Sequence, residues 1–160
     1  IIINTSNGDE LFKLYDISML RNILANCISD ENYLFIIESY KAEYETGEFH
    51  GEWDPTTIQN KSELQDEIKK LGNNFWGDHI ILQLLGDELK LNFIIINSPD
   101  TGDGNCEIYN SNFEKDKYEN TIILYYDISM HFTLIGYFFD NCMQTIFKKN
   151  TLPETISKLI

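Results

Sequence analysis

Apolar positions change period along this chain, and the changes mark its elements. Ile17, Leu20, Ile23, Leu24 and Cys27 recur at three- and four-residue steps, which predicts a helix to about Asn26 with Asp16 as its N-cap. Cys27 reads there as a small core residue. Tyr33 to about Glu45 predicts a second helix, with Leu34, Ile37 and Tyr40 or Lys41 as its stripe. Thr46 to Asn60 holds Gly47, Gly51 and Pro55 and reads as a loop carrying His50 and Trp53. Ser62-Glu63-Leu64-Gln65 has capping-box spacing and opens a short helix ending at Gly72. Asp78 is placed to cap a helix to about Leu89. Its Ile80, Ile81, Leu82, Leu84, Leu85 and Leu89 lie almost all round the axis, so it is buried on most sides.

The period then shortens. Leu91 to Asn97 (LNFIIIN) reads as a central strand without alternation. The turn SPDTGDG, a short strand around Cys106 to Tyr109 and an acidic loop follow. Thr121 to Phe138 (TIILYYDISMHFTLIGYF) reads as strand, polar loop and strand, with Gly136 as a bulge point. His131 stands at the mouth of the second strand. From this stretch alone it is a hydrogen-bonded rim histidine, as most histidines do no chemistry. MQTIFKK after Cys142 has a short helical pattern, and Pro153 starts a last helix to Ile160. YDISM occurs at 15–19 and 126–130 in different contexts, and no structural repeat is expected.

Composition narrows the class. A chain of 160 residues with 42% hydrophobic content is expected to be one domain with a core that needs neither disulfide nor metal. Its net charge of −14 argues against nucleic acid, whose phosphates need a basic surface, and favours a basic partner or simple solubility. Cys27, Cys106 and Cys142 have no metal spacing and leave an odd thiol, which points to a reducing compartment. No apolar run approaches the ~20 residues of a membrane span. The chain opens on Ile1, as a piece of a longer protein would.

The order of these pieces resembles a known family. Leu20-Arg21 lies in the first helix. Trp76-Gly77-Asp78 opens the buried helix with Leu82 and Leu85. An Ile-rich strand, Ile108-Tyr109-Asn110, Ile123 to Tyr126 and His131 to Ile135 (HFTLI) follow. Over roughly Asp16 to Tyr137 this resembles the ovarian-tumour (OTU) cysteine deubiquitinases. The resemblance implies a papain-like α+β fold, a small, mostly antiparallel sheet flanked by helices. It also implies thiolate attack on the isopeptide bond at the ubiquitin C-terminus, with an imidazole as base and then acid, and no cofactor or metal. His131 matches the catalytic histidine. The implied partner is ubiquitin or polyubiquitin, with no nucleic acid and no membrane, and an acidic surface suits the arginines of the ubiquitin tail. The implied setting is cytoplasm, including host cytoplasm for a pathogen effector.

The family's nucleophile lies in an Asp-Gly-x-Cys motif, followed by Leu or Met, Phe and a helix, before the first helix. No cysteine precedes Asp16. In one reading the order is permuted, with Asp140-Asn141-Cys142-Met143 as the cysteine loop and Cys142 as provisional nucleophile, its thiol acidified by the helix behind it. In another the motif lies upstream and Ile1 to Ile3 ends its helix. In a third it is Asp103-Gly104-Asn105-Cys106. A strand from Phe132 to Phe138 carries the chain about 20 Å from His131. Four residues return at most about 14 Å, so Cys142 serves only if that strand is short, bent or bulged. Thr133 stands where the family often has the orienting Asp or Asn, and a hydroxyl there supplies no charge. Asp140 is the substitute in the permuted order. The alternative to a hydrolase is an inactive ubiquitin-binding pseudoenzyme of the same fold.

Overall fold

The structure is a computed structural model and describes residues 2–4, 10–12, 15–72, 75, 77–98, 118–127, 131–139 and 141–158. Two compact units, Ile1–Leu85 and Gly86–Ile160, make up the chain. Among the described residues no helix is long and apolar enough to cross a membrane.

The first unit is mainly helical. Strands β1 (Ile2–Asn4) and β2 (Glu10–Phe12) pair antiparallel, so 2–4 is not the end of a helix. Helix α1 (Ile17–Cys27) starts where expected, with the Met19 amide donating to Asp16 Oδ1 at 2.7 Å. Helix α2 (Asp30–Thr46) begins three residues before its expected start, because Ser29 Oγ accepts from the Asn32 amide at 3.1 Å. It ends at Gly47, whose φ of +79° suits a residue without Cβ. Its buried stripe is Ile36, Ile37 and Tyr40; Leu34, expected in that stripe, is 61% exposed.

After a 3-10 turn (Pro55–Thr57) comes helix α3 (Lys61–Lys69). Its cap is Asn60, not Ser62. Asn60 Oδ1 accepts from the Glu63 amide at 3.1 Å, and the Glu63 carboxylate accepts from the Gln59 amide at 2.7 Å. Leu24, Ala25, Ile36, Ile37, Leu64 and Ile68 close the core between α1, α2 and α3. Trp53, in the expected loop, packs inward: it stacks on Phe75 at 6.0 Å and meets Phe49 and Tyr40 edge-on. Helix α4 (His79–Leu89) begins as expected. The Ile81 amide donates to Asp78 Oδ1 at 2.9 Å and the Leu82 amide to Asp78 O at 2.9 Å.

The second unit is built on a sheet. Strand β3 (Leu91–Asn97) runs parallel to β4 (Asn120–Tyr126) along its whole length. On the other edge of β4 lie two antiparallel segments, β5 (Phe132–Ile135) and β8 (Ile146–Lys148). Between them β6 (Tyr137–Phe139) and β7 (Cys142–Gln144) form a separate hairpin. The expected strand 132–138 therefore ends at Ile135, and Gly136 turns the chain away. MQTIFKK is not helical. Asn141 takes φ +60° just before Cys142, which pairs with Phe139. Phe147, 1% exposed, pairs with Thr121 in the sheet.

Ile123 pairs with Ile135, so an unbroken strand would put residue 136 opposite Ile122. Ile146 stands there instead. The segment from Gly136 to Thr145 is thus ten residues carried out of a single edge strand. One face of the sheet buries Ile94, Ile123 and Phe147 under Leu152 and Ile156, near the short helix α5 (Glu154–Ser157), which starts after Pro153 as expected.

The fold class is α+β, with β3–β4 the only parallel pairing among the described strands. The expected SPDTGDG turn and the strand around Cys106 lie outside the described residues, as does Trp76.

Candidate functional site

His131 is held by a short antiparallel corner. The Asp127 amide donates to His131 O at 3.2 Å, and the His131 amide donates to Asp127 Oδ1 at 3.4 Å. This closes the base of the loop and fixes Phe132 opposite Tyr126, with ring centroids 4.8 Å apart. The Ser98 amide donates to Tyr126 O at 2.8 Å, extending the parallel pair by one residue beyond Asn97. The exposed His131 therefore sits beyond the carboxyl ends of β3 and β4, on a backbone pinned from both sides. An imidazole so placed can take and return a proton, provided that the reacting group comes within hydrogen-bond reach.

Cys142 is placed differently from the expectation that it opens a helix. Its backbone lies in β7 opposite Phe139, so the helix N-terminus invoked to acidify its thiol does not exist. The hairpin that carries it leaves the edge strand at Gly136, about 17 Å of extended chain from His131. Among the described strands no pairing sets Cys142 beside His131. Thr133 is exposed on β5, opposite Tyr125. Cys27 ends α1, half-buried, with Sγ donating to Ile23 O at 3.0 Å. Cys106 and Asp140 lie outside the described residues. Among the described residues no cluster of three metal-ligating side chains occurs.

The first unit explains other resemblance residues. Arg21 spreads its guanidinium over four carbonyls: Nη1 donates to Ile68 O at 3.1 Å and to Lys70 O, and Nη2 to Gly72 O at 3.0 Å and Phe75 O at 3.1 Å. It fastens the segment between α3 and Asp78. Asp78 also lies beside the buried Tyr40 hydroxyl, which forms no well-shaped hydrogen bond. Burial first and then the Asp78 charge hold that phenol well above its ordinary range.

Asn7-Gly8-Asp9-Glu10-Leu11-Phe12 follows the Asp-Gly-x-Cys-Leu-Phe pattern at Gly8, Leu11 and Phe12, directly before α1. Glu10 stands where that pattern has its cysteine, but it opens strand β2 opposite Asn4, not a helix.

No family model matches the chain, and no curated protein matches it. Among solved structures it is similar to an ovarian tumour (OTU) domain in complex with ubiquitin, at 17% identity and a TM-score of 0.51. The match covers 90% of this chain and 66% of that structure, so the chain spans just under two thirds of its neighbour's length. The fold is OTU-like.

Proposed function

We propose that this chain is a ubiquitin-binding domain of OTU-like fold that keeps the histidine corner and does not itself hydrolyse the isopeptide bond. The observation that carries this reading is the position of Cys142: a hairpin strand, with neither a helix N-terminus to acidify the thiol nor a pairing that brings it to His131. Ubiquitin as the partner rests on the fold likeness, and the net charge of −14 suits a tail that carries arginines.

The test is incubation under reducing conditions with ubiquitin bearing a C-terminal electrophile, followed by intact-mass analysis. The expected result is unmodified protein, together with binding of unmodified ubiquitin in a parallel titration. An adduct on Cys142 or Cys106, lost on the matching Cys→Ala substitution, would make the chain a thiol hydrolase and overturn the reading.

A further inference from the structure

The outer edge of β5 combines features found together nowhere else among the described strands. The Asp127–His131 backbone bond fixes the parity of the ladder, so Thr133 and Ile135 direct their amides and carbonyls toward β4. Two further bonds agree with this parity: Tyr126 O accepts from Ser98 on the β3 side, and the Lys148 amide is taken by Thr151 Oγ1 at 3.0 Å. Phe132 and Leu134 therefore aim their backbone donors and acceptors away from the sheet, and no described strand receives them. Natural edges are usually blunted by charge, proline or cover. This one is not.

Charge is also missing. From His131 to Phe147 the only formally charged side chain is Asp140, in a chain where 24% of residues are charged. The same stretch exposes Phe132 (37%), Leu134 (52%), Tyr137 (48%), Phe138 (64%) and Met143 (62%). The Phe138–Met143 cross-strand pair sits on the excursion hairpin. Depletion of charge with enrichment in aromatic residues and methionine is the composition of an interface centre.

We infer that this edge is a self-association surface, with β5 of one copy pairing antiparallel to β5 of a second about a two-fold axis at Thr133. An antiparallel edge is its own complement under such an axis. Phe132 then faces Leu134 of the second copy, and their outward backbone groups bond reciprocally. With ~150–250 Å² for each full side chain, Phe132, Leu134, Phe138 and Met143 offer on the order of 400 Å² per copy. The backbone of the paired strands and its flanks bring this near the ~800 Å² per partner of a stable interface. A basic partner gains nothing from an uncharged face. A second acidic copy loses least there, because charges beyond a Debye length of ~8 Å are largely screened.

Sedimentation equilibrium of the chain over a concentration series tests this. The wild type is expected to dimerise, and Leu134→Pro to weaken the dimer at least about tenfold with unchanged circular dichroism, since the lost amide points away from β4. Leu134→Lys, which keeps the amide, is expected to act in the same direction and serves if the proline variant does not fold. A wild type that stays monomeric throughout overturns the inference, as do folded variants that dimerise like the wild type. A monomer whose ubiquitin binding falls on Leu134→Lys also overturns it and assigns the face to ubiquitin.

Discussion

The helical unit and the sheet unit treat their exposed backbone in opposite ways. In Ile1–Leu85, side chains reach back to finish what the helices leave open. Asp16, Ser29, Asn60 and Asp78 each accept an N-terminal amide, and Arg21 collects four carbonyls. In Gly86–Ile160 the sheet closes one edge of β4 with β3 and the other with a broken strand, and among the described strands none pairs with the outer side of β5. Saturated backbone makes a scaffold, while open backbone beside His131 makes a place for another chain.

That contrast can be pressed by substitution. The largest effect is expected in the sheet unit, where Phe147 holds β8 against β4: Phe147→Ala should cost about 3–5 kcal/mol in urea unfolding, because the side chain is fully buried. Arg21→Ala should cost about 2–3 kcal/mol, since four carbonyls lose a charged donor. Arg21→Lys should recover little of it, as an ammonium cannot span the fork. If lysine restored full stability, charge alone and not the planar fork would hold the segment from Ile68 to Phe75. Asp78→Ala should cost about 1 kcal/mol through the lost cap of α4; no change in thermal midpoint would deny the cap its role.

The smallest effect has the opposite sign. Burial, then the nearby Asp78 charge, raises the Glu43 carboxyl above its ordinary range. An acid raised in the folded state keeps its proton longer there than in the unfolded chain. Stability is therefore lost as pH rises from the ordinary glutamate range through the raised value. Glu43→Gln removes that loss and should stabilise at neutral pH by less than about 1 kcal/mol, discounted for partial exposure. The gain should vanish below the ordinary glutamate range. A gain that persisted in acid would need another cause.

What the sequence revealed follows the range of the forces involved. Asp16 and Asp78 were legible as caps because a cap bonds residues three positions away. The helix α4 and the strands β3 and β4 were legible from their unbroken apolar runs. The seven residues MQTIFKK were not, since Met143, Ile146 and Phe147 fit either period in so short a window. What decides is pairing of Phe147 with Thr121, far away in sequence. Leu34 misled for a related reason: α2 has apolar residues on both faces, and only packing selects Ile36 and Ile37. Leu20-Arg21 flagged Arg21 without its four acceptors, which lie 47 to 54 residues on. His131 lies just before β5, as its stretch predicts, whereas the chain around Cys142 forms a β-hairpin strand and not a helix start, because its pairing partner Phe139 decides it.

The central claim is that ubiquitin engages the corner around His131. The most direct measurement is a heteronuclear NMR titration of the isotope-labelled chain with unlabelled ubiquitin. Saturable shifts are expected at the amides of Ser98, Asp127 and His131, with no covalent product. Amides that stay unmoved at saturating ubiquitin, or shifts confined to Ile1–Leu85, would contradict it.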